Sequence, residues 1–241
     1  MLIRSRALVL SRLKYNDTSD IACLFTEALG AVSFVVRISK KRRAGDKSIL
    51  FQPLNLLEIE WDHQENSSLS HIRDAWCYYP YSDLTSDPVK ITIASFLSEF
   101  LYYALRDERE DEKLYNYLAL SLQWLDAAEH GFSNFHIAFQ VQVSRFLGIS
   151  PNISEYSPER IYDMQNACYT NTLPVHDYYL QGAEANFVKD LMRMNFYNMH
   201  LFHMSIAQRS RLLNLINTHY SLHVPRFPVL KSIEVLREVF S

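Results

Sequence analysis

The feature that most constrains this chain is a change of hydrophobic period near Pro80. Over residues 3–79 the apolar residues come in short runs, rich in β-branched and aromatic side chains and separated by turn residues, which is the pattern of half-buried strands. Residues 7–13, 21–26 and 32–37 read as three strands, the last two joined by the turn Ala28-Leu29-Gly30. A long fourth strand is expected over 49–61, interrupted at Pro53, whose missing N–H requires an edge or bulge position. Residues 69–78 read as a fifth, after the turn Asn66-Ser67-Ser68. Five antiparallel strands in so short a segment predict a small closed or partly open barrel of the OB type.

Beyond Pro80 apolar residues recur at helical spacing. Ile91, Phe96, Leu97, Phe100, Leu101 and Leu105 mark one helix, which Asp87-Pro88 can start, and Leu114, Leu118, Leu122 and Leu125 mark another. A third runs over 134–145 and stops at Gly148, ahead of Pro151. Residues 149–180, rich in Pro, Asn, Ser and Tyr, read as an irregular connector with a short hairpin around Ala167-Cys168-Tyr169, and helices resume over 183–194, 199–220 and 232–240. The expected architecture is α+β and multidomain. An N-terminal five-stranded OB-like β-barrel over residues 1–80, a nucleic-acid-binding domain, is followed by an α-helical bundle domain over 81–241.

Composition bounds the function classes. Hydrophobic residues make up 48% of the 241 and Gly only five, so the chain can bury a core. Cys23, Cys77 and Cys168 are too few and too widely spaced for a disulfide framework, which fits a reducing compartment. Charges within Met1-Leu2-Ile3-Arg4-Ser5-Arg6 exclude a signal-peptide core, and no apolar run reaches the ~18 residues of a membrane span, so a cytoplasmic location without membrane attachment is expected. The net charge of −3 conceals an asymmetry: residues 1–50 carry ten Lys or Arg against four acids, leaving −9 on the remainder. A basic end on an otherwise acidic chain points to a polyanionic partner.

The cations fall into two groups. Lys40, Lys41, Arg42, Arg43 and Lys47 lie between two predicted strands and should project from a loop, where adjacent positive charges repel one another unless a polyanion is near. Arg4, Arg6, Arg12, Lys14 and Arg37 lie on or beside the first and third strands. These ten are the candidate DNA contacts. Tyr15 and Phe34 are candidates for stacking, although Phe34, inside an apolar strand, is expected in the core.

Catalytic signals are weak. The run from Asp107 to Glu112 reads as a solvated loop or helix start, and Met194, Met199 and Met204 as core fillers. His200 and His203 could both reach one metal, but no neighbouring Cys or carboxylate pair completes a site. Phosphate-cradling and nucleophile-elbow motifs are missing, so neither a catalytic residue nor a cofactor is assigned. An enzyme with a site in the helical domain, or a protein–protein adaptor with a basic barrel, are the rival readings.

The sequence resembles the RecO recombination mediators of bacteria over nearly its whole length. The resemblance rests on Tyr15-Asn16-Asp17-Thr18-Ser19-Asp20-Ile21 leading into Phe25-Thr26-Glu27-Ala28-Leu29-Gly30, on the basic loop after Val35-Val36-Arg37, on Phe51-Gln52-Pro53-Leu54, and on His219-Tyr220-Ser221-Leu222-His223-Val224-Pro225-Arg226-Phe227-Pro228 with the following Leu230 to Leu236. It implies a non-enzymatic DNA repair protein with an N-terminal OB-fold and a helical C-terminal domain. Such a protein binds single- and double-stranded DNA, anneals strands, contacts single-strand-binding protein and works with RecR to load RecA. Zinc-containing relatives carry four cysteines in the connector; here only Cys168 stands there, so no zinc is expected. A groove for the tail of single-strand-binding protein is expected among the surplus aromatics Phe96, Tyr102, Tyr103, Phe135 and Phe139.

Overall fold

The computed structural model describes residues 1–37, 47–63 and 69–239. By compactness the chain divides into two units, Met1–Ala127 and Ala128–Ser241. The change of period at Pro80 therefore marks a change of secondary structure, while the first compact unit runs on through two helices.

In the first unit β1 (Leu2–Lys14), β2 (Ser19–Thr26), β3 (Gly30–Arg37), β4 (Leu56–Asp62) and β5 (Ser70–Tyr79) close into a ring in the OB-like order β1-β2-β3-β5-β4. All pairings are antiparallel except the β3–β5 seam, a short parallel contact at Phe34↔Ser70 and Val35↔His71. Strand alternation sends Val9, Leu24, Phe34, Ile59 and Trp61 inward, and the Phe34 and Trp61 rings meet edge to face at 5.5 Å. Leu8 and Leu10 are buried as well, on the opposite side of β1, which is contacted by the helix α1 (Pro88–Leu105). That double burial explains the unbroken apolar run at the middle of β1.

The expected fourth strand is corrected. Residues Lys47–Phe51 form a 3-10 turn and pairing begins only at Leu56. The apolar side chains that imitate a strand are spent on burial: Phe51 and Leu54 are buried and Leu50 packs on the ring's core. Past Pro53 the backbone turns at Leu54, with φ of +68°, and hooks onto β1 through Leu54 N–H to Val9 O (2.7 Å) and Val9 N–H to Asn55 O (3.0 Å).

Two contacts bind the rest of this unit to the ring. Gly30 sits at φ +70° beneath the loop that follows α1; an added Cβ would lie 2.3 Å from the Arg109 carbonyl carbon, and Ala31 N–H donates to Glu108 O. Only glycine tolerates both the dihedral and the approach. The second contact is a buried carboxylate, Asp126, on α2 (Glu112–Ala127). Its Oδ1 accepts the N–H groups of Ser82 (3.1 Å), Asp83 (2.9 Å) and Leu84 (2.7 Å), and the Lys90 ammonium, itself 1% exposed, donates to the Asp126 carbonyl at 2.7 Å.

The second unit holds α3 (Phe135–Phe146), a three-stranded sheet of β6 (Ile161–Asp163), β7 (Cys168–Thr170) and β8 (Tyr179–Leu180), then α4 (Gly182–Leu191), α5 (Ile206–His223) and α6 (Ser232–Val239). Gly148, at φ +68°, ends α3 with Ile149 N–H returning to Ser144 O. The connector hairpin is present as β6–β7, its turn held by Asp163, which accepts the N–H groups of Gln165 and Asn166. The helix expected over 199–220 is two pieces, a 3-10 turn at Met199–Leu201 and α5, because Ser205 and Gln208 form a reciprocal capping box that starts the helix afresh.

Candidate nucleic-acid interface

The five strand-borne cations do not gather in one place. From Arg4 to Lys14 the backbone of β1 advances roughly 33 Å at ~3.3 Å per residue, so the two ends of this strand serve different surfaces. At the first end the cations are committed within the protein. Arg4 pairs with Glu58 and lies over the Trp76 ring at 4.8 Å; Arg6 pairs with Glu27, donates to Asn116 Oδ1 (2.9 Å) and lies over Tyr115 at 5.2 Å. The hydrogen bonds donated to Glu58 and Glu27 hold the two guanidinium groups above their ordinary pKa, so both stay charged and both are partly neutralised.

The other end is different. Arg37 closes β3, opposite Ser19 in the ladder, and is exposed without an ion pair among the described residues. Lys14 is exposed and reaches only Asp17, at 3.7 Å, and Tyr15 beside it is 60% exposed. Arg12 has a third role. Its Nε donates to Asp20 Oδ2 (2.6 Å) and its Nη1 to the Ser48 carbonyl (2.5 Å), which ties the return of the chain at Ser48 to the β1–β2 pair next to Arg37. Arg37 and Ser48, which flank segment 38–46 in sequence, thus both lie at this end of the ring. Lys40, Lys41, Arg42, Arg43 and the side chain of Lys47 lie outside the described residues.

Beside Arg37 a cleft of about 360 Å³ opens along the β3–β5 seam, with Ser48, Phe51, His71 and Arg73 in its wall. Arg73 pairs with Asp62. His71 and Arg73 were not singled out from the sequence, because what brings them to Arg37 is the parallel seam, and a pairing between strands so far apart in the chain leaves no local mark.

The remaining candidates resolve individually. Phe34 is fully buried, and so are Phe96, Phe135 and Phe139, which corrects the expectation that these aromatics line a groove; only Tyr102 and Tyr103 are half-exposed, both against Arg106. Met194 and Met199 are buried, Met204 half-buried. Asp107, Glu108 and Glu110 are exposed in the loop between α1 and α2, while Asp111 accepts the Leu114 N–H at the start of α2. His200 and His203 are exposed, and no group of three His, Cys, Asp or Glu side chains among the described residues is placed to hold a metal. No helix among the described residues is long and apolar enough to cross a membrane.

Comparison with known proteins divides the chain near Pro80, where the hydrophobic period changes, and not between the two compact units. Residues 1–81 match the family model "Recombination protein O N terminal" and residues 85–232 match "Recombination protein O C terminal". The chain is 46% identical over 241 residues to the DNA repair protein RecO of Phocaeicola vulgatus, with all of both chains covered. It is also similar, over the full length of each, to the proteins of the same name from Bacteroides fragilis (46%) and Flavobacterium johnsoniae (33%).

Proposed function

The chain belongs to the RecO family of DNA repair proteins, non-enzymatic recombination mediators, and from that premise we propose that the end of the ring carrying Lys14 and Arg37 is its DNA-binding surface. The observation that carries this reading is the placement of the residues that flank segment 38–46 in sequence. Arg37, exposed and without an ion pair among the described residues, and Ser48, held by Arg12, lie at the end of the ring that also bears the exposed Lys14, and the sequence sets Lys40, Lys41, Arg42 and Arg43 between them. Clustered cations on a short segment beside a small β-ring suit the phosphate backbone of single- and double-stranded DNA, whose affinity comes from counterion release and carries no sequence preference. Arg4 and Arg6, held by carboxylates and aromatic rings at the far end, act chiefly within the fold.

On this reading the 1–80 segment is the nucleic-acid-binding domain. The family membership supports strand annealing, cooperation with RecR, and help in loading RecA onto DNA covered by single-strand-binding protein, in the cytoplasm at the chromosome. The helical segment 81–241, with 18 acids against 13 Lys or Arg, suits a protein partner. An apolar cleft of about 50 Å³ among α3, α4 and α5, walled by Val141, Leu191, Leu212 and Ile216, supports docking of the tail of single-strand-binding protein there.

The test is the salt dependence of binding to a fluorescent oligonucleotide. Replacing Lys40, Lys41, Arg42, Arg43 and Arg37 by Gln should lower the slope of log affinity against log salt by somewhat under one unit for each phosphate that is no longer neutralised. Arg4→Gln should leave it unchanged. An unaltered slope in the quintuple variant overturns the assignment.

A further inference from the structure

A second concentration of hydrogen-bond donors lies in the second unit and is independent of the reading given for the ring. An open cleft of about 400 Å³ at the start of α5 is walled by Ser133, Asn134, His200, His203, Ser205 and Arg209, and its lining carries no carboxylate. The wall is built rather than incidental. Asn134 is 3% exposed; its Nδ2 donates to the carbonyls of Met199 and Phe202, both at 2.9 Å, and its Oδ1 receives Arg209 Nε at 3.3 Å. One side chain thus fixes the turn that bears His200 and orients the guanidinium against it. Burial depresses the Arg209 pKa, the sign of a cation held partly away from water. Neither His200 nor His203 has a hydrogen-bond partner among the described residues, and the Ser205 hydroxyl oxygen accepts from Gln208 N–H (3.2 Å), which leaves its proton to donate. The positive end of the α5 dipole faces the same place.

The geometry points to a binding site for a phosphate-class oxyanion in this cleft, with Arg209 as its charged anchor and His200, His203, Ser133 and Ser205 as further donors. Phosphate is favoured over carboxylate by number. The wall offers the Arg209 guanidinium, whose Nε is already bonded to Asn134, and four further donors, which the two oxygens of a carboxylate cannot occupy together, whereas a phosphoryl group presents three or more. The same chemistry is available from free phosphate and from a nucleic-acid backbone.

The experiment is calorimetric titration of the full chain with inorganic phosphate and, separately, with acetate. It is carried out in a background in which Lys40, Lys41, Arg42 and Arg43 are Gln, so that failure here and failure of the barrel assignment read separately. Saturable phosphate binding, at least about tenfold tighter than acetate, is expected. Arg209→Gln should weaken it at least about tenfold, and the double variant His200→Asn/His203→Asn, confined to exposed positions, severalfold. Arg209→Lys keeps the charge and should retain part of the binding, which separates loss of the site from loss of the fold. Competition by a thymidylate dodecamer assigns the source to nucleic acid, and its failure to compete assigns a small phosphate. No saturable phosphate binding, equal binding of acetate, or phosphate binding untouched in the folded His200/His203 and Arg209 variants overturns the proposal.

Discussion

Replacing Asp126 by Ala should destabilise the first unit by roughly 3–4 kcal/mol, and the figure follows from who would be left without a partner. The carboxylate is 3% exposed and gathers three successive backbone N–H groups, of which the Leu84 N–H is buried while Ser82 and Asp83 lie at the surface. An orphaned buried donor costs about 1–3 kcal/mol, and two donors that water can reach cost about 0.5–1 kcal/mol each. Asp126→Asn keeps an acceptor oxygen and loses only the charge, so about 1–2 kcal/mol is expected. Trp61, Trp76 and Trp124 are the chain's three tryptophans and all belong to Met1–Ala127, so urea unfolding followed by tryptophan fluorescence reports this unit. With a slope of roughly 1–2 kcal/mol per molar urea, the Ala variant should unfold about 2 M earlier. The pH dependence is a second check. Burial alone would raise the Asp126 pKa, but the N–H groups of Leu84, Ser82 and Asp83 outweigh it and hold the carboxyl below its ordinary value. A depressed folded-state pKa gives stability that is complete above the unfolded value and is lost as pH falls through the folded one. The gap between the wild type and Asp126→Asn should therefore stay constant at neutral pH and narrow only below the usual carboxylate range. A loss under 1 kcal/mol for Asp126→Ala, or a gap that narrows near pH 7, refutes the reasoning.

Gly30→Ala should cost about 2–4 kcal/mol in the same assay, since it combines a strained positive φ with overlap against backbone atoms of Glu108 and Arg109 that cannot rotate away. Acid should open the second unit selectively: burial depresses His136 to about 3, helped by the nearby Arg209 charge, and depresses His219 to about 4, so the stability tied to both is complete above pH 6.5 and falls by roughly 1.4 kcal/mol per pH unit for each below it. Protection factors in α3 and α5, with the slower intrinsic exchange in acid divided out, that do not fall between pH 7 and 5 count against this. Arg12→Lys keeps the charge but loses the fork that joins Asp20 to the Ser48 carbonyl, so DNA affinity should drop severalfold at an unchanged salt slope; a slope lowered by about one unit would make Arg12 a phosphate contact instead.

The period of the apolar residues was enough to read five strands followed by helices, because each strand of the ring buries one face and the pattern records it locally. Where local pattern and burial part company the reading fails. Ile49, Leu50, Phe51 and Leu54 make an apolar run like that of a buried strand, yet Phe51 and Leu54 are buried in a turn against the ring, since Pro53 cannot donate and the chain hooks onto Val9. Aromatic surplus misleads in the same way: Phe96, Phe135 and Phe139 exceed one helix stripe because their helices are enclosed on more than one side, and enclosure is decided by partners distant in sequence. The restart of α5 was legible, since Ser205 and Gln208 have capping-box spacing, but a continuous apolar pattern from Met199 hides it.

The candidate site shows the same limit in its electrostatics. In sequence Arg4, Arg6 and Arg12 are cations on a basic segment; in the fold each meets a carboxylate that strand register supplies from 54, 21 and 8 residues away. Register, and not composition, decides which positive charges remain for a ligand. A phosphate approaching Arg6 would have to displace Glu27 and the bond to Asn116, whereas one approaching Arg37 displaces only water and counterions among the described groups. A net count of +6 over residues 1–50 therefore overstates what Arg4, Arg6 and Arg12 leave for a ligand, while the exposed Arg37 keeps its charge among the described residues. On the proposed reading, a polyanion binds at the end where its arrival breaks the fewest existing bonds.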